Sequence, residues 1–136
     1  MAQTRSLLRI FVVDDEHVIA STMALILRFS GGFHATSFNA PLEALLMAKN
    51  DQPDLLISDV VMPGLSGIDL AIQLKQQCPN CKILLFSGQA ASESLLESAR
   101  AQGHEFELLS KPVHPAKLLA RIQDLLEEVP AMPLVG

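Results

Sequence analysis

Four short apolar runs, each ending at a polar side chain, constrain this chain more than any other feature. Ile10-Phe11-Val12-Val13 runs into Asp14-Asp15, Leu55-Leu56-Ile57-Ser58 into Asp59, Ile83-Leu84-Leu85-Phe86 into Ser87-Gly88, and Leu108-Leu109-Ser110 into Lys111-Pro112. Continuous aliphatic runs of this length read as strands buried on both faces, the habit of parallel sheets. Open parallel α/β sheets bind ligands just outside the carboxyl ends of their strands. Such a sheet gathers the carboxylates of Asp14, Asp15 and Asp59, the hydroxyl of Ser87 and the ammonium of Lys111 in one place. That set suits a divalent cation and a phosphoryl group.

Helical patterns alternate with these strands. Residues 18–29 place Ile19, Met23, Ile26 and Leu27 on one helical face, and Ser30-Gly31-Gly32 stops that helix. A weaker strand over 33–38 alternates with His and Ser, as an edge strand with one wetter face does. Asn39 reads as a helix cap with Pro41 in the first turn, and Leu42, Leu45, Leu46 and Met47 form that helix's apolar side. Further helices are predicted over 68–77, from a Ser92 cap to 102, and from His114-Pro115 to 128, with strands over 82–87 and 106–110. The alternation predicts a flavodoxin-like (βα)5 fold, α/β with a doubly wound parallel sheet in the order 2-1-3-4-5. The domain is placed at 7–128, between an N-terminal extension (1–6) and a tail (129–136) whose Pro130 and Pro133 prevent it from extending the last helix.

A length of 136 residues predicts one domain, and an apolar fraction of 49% favours a packed globule over disorder. The net charge of −5, with no stripe of Lys and Arg, argues against direct nucleic-acid binding. No apolar stretch approaches the ~20 residues that span a bilayer, and the first residues lack the features of a signal peptide, so a cytoplasmic protein without membrane partners is expected. Cys78 and Cys81 form a CxxC between a helix and a strand. Redox-active pairs open a helix instead, and zinc needs about four ligands, so these read as spectator thiols. His17, His34, His104 and His114 are scattered and read as solvated.

The acidic pair in VVDDE, the segment DVVMPGLSG starting at Asp59, Ser87-Gly88 and Lys111-Pro112 occur in order, each after an apolar strand. Over about 7–128 the chain thereby resembles the receiver domain of two-component response regulators. The resemblance implies that Asp59 accepts a phosphoryl group from a phosphohistidine. It implies Mg²⁺ bound by Asp15, Asp59 and the backbone carbonyl of Val61, with Asp14 orienting the ion. Lys111 would pair with phosphoryl oxygens and Ser87 would hydrogen-bond one of them. In relatives the bond corresponding to Lys111–Pro112 is cis, and side chains at Val61 and Gln89 modulate water access to the acyl phosphate. Met62-Pro63 and Gly67 read as a rigid turn followed by a flexible start to a helix.

The chain departs from the family pattern in two respects. Leu108 stands three residues before Lys111, where many receivers carry Tyr or Phe; Phe106 lies two residues further back and shares its side by the period of a strand. No output domain is expected after the receiver-like segment, so output is expected through partner binding or onward phosphoryl transfer. The responding surface would include Leu95, Leu96, Ala99, Phe106, Lys117 and Arg121, although the apolar members read equally well as core. The expected partners are a sensor histidine kinase or phosphotransfer protein and a downstream protein target. A monomer or a phosphorylation-dependent dimer is expected, in a stand-alone module that catalyses only its own phosphorylation and dephosphorylation. Two alternatives are weighed. A haloacid-dehalogenase-type phosphatase normally shows D-x-D after the first strand, which Asp14-Asp15-Glu16 lacks. A pseudo-receiver without phosphorylation fits poorly with an intact Asp59, acidic pair and Lys111.

Overall fold

A computed structural model describes residues 8–88 and 91–127. The extension at 1–6, Gln89, Glu128 and the tail at 129–136 lie outside the described residues. Strands and helices alternate as β1 (Arg9–Val13), α1 (His17–Phe29), β2 (His34–Phe38), α2 (Pro41–Ala48), β3 (Leu55–Asp59), α3 (Gly67–Gln77), β4 (Lys82–Ser87), α4 (Ala91–Ala101), β5 (Glu107–Ser110) and α5 (Pro115–Glu127). All strand pairs are parallel, in the order β2-β1-β3-β4-β5. This is the flavodoxin-like arrangement expected from the strand and helix pattern.

The central strands are apolar throughout because both faces are covered. Phe11, Val13, Leu56 and Leu85 point to the side holding α2 and α3. Ile10, Val12, Leu55, Ile57, Leu84 and Phe86 point to the side holding α1 and α5. Each fully buried side chain of this size contributes about 1.5–3 kcal/mol, so the two layers hold the strand ends in place. The edge strand β2 leaves His34 exposed and Thr36 and Ser37 half-buried, as predicted.

Two helical faces differ from expectation. α1 buries Ala20, Ala24 and Leu27, leaving Ile19, Met23 and Ile26 only half-buried. α2 buries Pro41, Ala44, Leu45 and Ala48, and Leu42, Leu46 and Met47 are exposed. In both helices alanines face the sheet, where small side chains let the helix approach closely, and the larger residues turn to its flanks or outward. Cap assignments shift too. Ala40, not Asn39, precedes α2 and makes no side-chain cap bond. α4 starts at Ala91, so Ser92 lies within it. β5 begins at Glu107, one residue after the predicted start. Gly103, with φ of 92°, ends the turn after α4, where a left-handed conformation is needed.

Cys78 and Cys81 are free and buried. Burial pushes the Cys81 thiol up to about 12, which suppresses the reactive thiolate and agrees with the spectator reading. His17, His34 and His114 are exposed. His104 departs from expectation: it is half-buried and stacks on Phe106, with centroids 6.3 Å apart.

Candidate functional site

Strand register assembles the site. Val13 pairs with Ser58, so Asp14 and Asp59 emerge level with one another from adjacent strands. Asp59 pairs with Phe86, and Ser87 pairs with Ser110, which sets Ser87 and Lys111 at the same edge. Strands β1, β3, β4 and β5 therefore deliver their terminal polar residues to one end of the sheet.

The backbone around Asp59 is held from several directions. The Ser58 hydroxyl, fully buried, donates to the Asp59 carbonyl at 2.9 Å. The Val60 N–H donates to the Phe86 carbonyl at 3.0 Å, and the Gly67 N–H to the Val60 carbonyl at 2.8 Å. A Cβ at Gly67 would stand 2.0 Å from the Asp59 carbonyl oxygen. Gly67 is thus required for close approach, which corrects its reading as a flexible helix start. The helix it opens is capped by Ser66, whose hydroxyl accepts from the Asp69 N–H at 3.1 Å.

Asp14 is buried, Asp59 half-buried and Asp15 exposed, and carboxylate oxygens from all three lie within 4.8 Å of one another. Asp14 Oδ1 accepts from the Glu16 N–H at 2.9 Å. Its Oδ2 is buried with no hydrogen-bond partner among the described residues, 3.6 Å from Lys111 Nζ. Lys111 Nζ lies 3.3 Å from Asp59 Oδ2. Burial pushes the Asp14 carboxyl above the usual carboxylate range, against the opposing pull of the Glu16 N–H and Lys111. Burial pulls Lys111 the other way, but Asp14 and Asp59 outweigh it and hold the ammonium above its ordinary value. A buried carboxylate oxygen that accepts no hydrogen bond, beside two more carboxylates, fits an oxygen-seeking divalent cation such as Mg²⁺.

Asp59, Val61, Ser87 and Lys111 line one cleft of about 450 Å³. The Lys111–Pro112 bond is cis, as the resemblance implied, and the Lys111 N–H donates to the Ser87 carbonyl at 3.0 Å. Every candidate side chain within the described residues thus falls at one strand edge. Leu108 is exposed, whereas Phe106 is half-buried against the α3 side of the core. Of the expected responding surface, Ala99 is buried, Leu96 packs on the core, Leu95 is exposed and Arg121 pairs with Glu107 and Asp124. Sequence reasoning missed Ser58, although a hydroxyl inside an apolar run was its signal. It also missed Ile19 and Met23 as walls of the cleft, because their spacing shows only that they share an apolar helical face.

The profile described as response regulator receiver domain matches residues 10–123. Among curated proteins, the chain is 29% identical over 117 residues to the probable transcriptional regulatory protein TcrX of Mycobacterium tuberculosis, covering 86% of this chain and 49% of that protein. It is 32% identical over 119 residues to the response regulator MprA of Mycobacterium leprae, covering 88% and 51%. The chain therefore spans about half the length of these relatives. Among solved structures, the chemotaxis protein CheY4 of Vibrio cholerae superposes with a TM-score of 0.76 at 25% identity, covering 88% of this chain and 99% of that one. A CheY-like receiver domain protein of Methanospirillum hungatei gives 0.80 at 29% identity, covering 90% and 96%.

Proposed function

This chain belongs to the response regulator receiver domain family, and from that premise we propose that it accepts a phosphoryl group on Asp59 and switches partner binding or relays the group onward. The observation that carries this reading is the Lys111 ammonium 3.3 Å from Asp59, beside three carboxylates whose oxygens cluster within 4.8 Å. A carboxylate nucleophile alone is weak at a phosphorus already surrounded by negative charge. A fixed cation beside it neutralises charge as the new bond forms.

In the proposed step, an Asp59 carboxylate oxygen attacks the phosphorus of a phosphohistidine. The P–N bond breaks with its electron pair going to the imidazole, leaving an aspartyl phosphate. Lys111 pairs with a phosphoryl oxygen and the Ser87 hydroxyl donates to another. Asp15, Asp59 and the Val61 carbonyl would hold Mg²⁺, with Asp14 orienting it. When bound, that ion supplies further charge neutralisation at the transferring oxygens. Val61 would also screen the acyl phosphate from water.

The proposed partners are a sensor histidine kinase or phosphotransfer protein and a downstream protein target, engaged in the cytoplasm. Switching is a population shift, since phosphoryl contacts to Lys111 and Ser87 favour one of two pre-existing arrangements. Among the described residues, no helix is long and apolar enough to cross a membrane. The test is intact mass after incubation with acetyl phosphate, with and without Mg²⁺, beside Asp59→Asn. One Mg²⁺-dependent phosphoryl adduct, lost in the variant, is expected. No adduct from acetyl phosphate or from a panel of phosphorylated kinases overturns the reading.

A further inference from the structure

A phosphoryl group and a cation need only the polar end of the site, yet the cleft that holds Asp59, Ser87 and Lys111 also has an apolar wall formed by Ile19 and Met23 of α1 and by Val113. Those three residues line a second hollow of about 240 Å³ as well, which runs on between α1 and α5 past Ile26 and Leu118. An apolar track thus leads away from the reacting carboxylate. Ligand sites characteristically pair such apolar walls with a few convergent polar groups, and about 450 Å³ falls within their usual size.

Resting on the function proposed above, we infer that the cleft takes acyl phosphates with an apolar acyl chain of four or more carbons as direct phosphoryl donors, and that Ile19 and Met23 set this preference. The dianionic phosphate end matches Lys111, and the acyl chain matches the Ile19–Met23–Val113 wall. An Asp59 carboxylate oxygen bonds to phosphorus, and the P–O bond to the acyl group breaks with its electron pair. The products are the aspartyl phosphate and a free aliphatic carboxylate; no proton, oxidant or reductant is consumed. A chain buried along this wall lowers the free energy of bound donor and transition state alike, so the effect appears in kcat/KM.

The experiment compares acetyl, propionyl and butyryl phosphate as donors to the full chain with Mg²⁺, following adduct formation by intact mass. Each added methylene is expected to raise kcat/KM about fourfold, giving roughly a fifteenfold preference for butyryl over acetyl phosphate. Met23→Ser should bring that ratio close to one. Ile19→Thr, a milder change, is the second variant should Met23→Ser fail to fold, and it should lower the ratio to an intermediate value. Equal kcat/KM for the three donors, or an unchanged ratio in a folded variant, overturns the inference while leaving Asp59 phosphorylation standing. An adduct from a phosphorylated kinase but from no acyl phosphate does the same. An adduct from no donor of either kind overturns both.

Discussion

Two regions of the sheet, the carboxyl ends of its strands around Asp59 and the amino-terminal start of β5 around Phe106, are packed to different standards. On the β1–β3 side, Asp14 and Ser58 are buried, the Asp59 carbonyl receives the Ser58 hydroxyl, and the helix start at Gly67 approaches so closely that no Cβ fits. On the β5 side, the strand buries only Leu109 and leaves Leu108 exposed. Hollows of about 250 and 300 Å³ flank the half-buried Phe106 on its α4 and α3 sides. Close-packed interiors transmit displacement, whereas unfilled volume lets side chains repack. Positioning is thus separated from freedom to rearrange: backbone holds Asp14 and Asp59 at the carboxyl ends of β1 and β3 and Lys111 just past β5, whereas room for movement lies at the opposite end of β5.

The sharpest test of that division is the reaction rate. Lys111→Ala removes the cation beside Asp59 and should slow adduct formation from acetyl phosphate about 10²–10³-fold. Leu108→Ala, within β5 and exposed, should change the same rate by no more than about twofold, the scale of an ordinary surface substitution. Intact-mass time courses read both. Comparable losses in the two variants would break the comparison.

Glycines extend the contrast to stability. Gly67→Ala sets a methyl 2.0 Å from the Asp59 carbonyl oxygen and 3.0 Å from Ser58 Oγ, where the obstacle is backbone and cannot swing aside. It should cost about 3 kcal/mol in urea unfolding, the upper range for overpacking. Gly103→Ala meets nothing within 4 Å and suffers only from its φ of 92°. The left-handed strain there amounts to about 1 kcal/mol. Equal costs would mean that the β3–α3 junction yields more readily than its contacts indicate.

Much of this was legible beforehand, for an identifiable reason. Runs such as Leu55-Leu56-Ile57 can be buried on both faces only in a covered parallel sheet, and the sheet order then follows from general handedness rules. Asp14, Asp59, Ser87 and Lys111 are legible because a strand end fixes where the next side chain goes. The misses lie where spacing says nothing about depth. Ala20 and Ala24 in α1, and Ala44 and Ala48 in α2, face the sheet because they are small, a matter of interlayer distance. Gly67 reads as flexible from sequence, which shows a missing Cβ but not the carbonyl that would collide with it. Ile19 and Met23 share one helical face with Ile26 and Leu27 in the sequence, and an apolar face looks alike whether it meets a core or a cleft.

Asp14 tests the tight side from the electrostatic direction. Its carboxyl titrates above its usual range in the fold, chiefly through burial, so the folded chain holds that proton more tightly than the unfolded chain. The stability this group contributes is therefore present at pH below the ordinary value of 3.8 and is lost as pH rises through the elevated folded value. At pH 7 without metal, Asp14→Asn should raise stability by about 1 kcal/mol, a Tm gain of about 4 °C for a domain of this size. Saturating Mg²⁺ should narrow the gap, because binding to the folded state favours the chain that keeps its ligands. A variant less stable than the parent in the absence of metal would show that Lys111 already compensates the buried charge in full.

The smallest effect belongs to the loose side's own ion pair and completes the comparison. Arg121 reaches Glu107 on β5 and Asp124 one turn further along α5, with side-chain exposures of 26%, 38% and 62%. Pairs this open contribute about 0.2–1 kcal/mol, since water competes for both partners and ordering two long side chains costs entropy. Arg121→Ala should lower stability by about 0.5 kcal/mol in dilute buffer, and the difference should fade at 1 M NaCl, where the screening length falls to about 3 Å. Lys111 faces carboxylates only 3% and 14% exposed, so the cost of removing it should persist in the same salt. Parallel urea titrations of the two variants at low and high salt separate a pair that water can replace from one that the fold has enclosed.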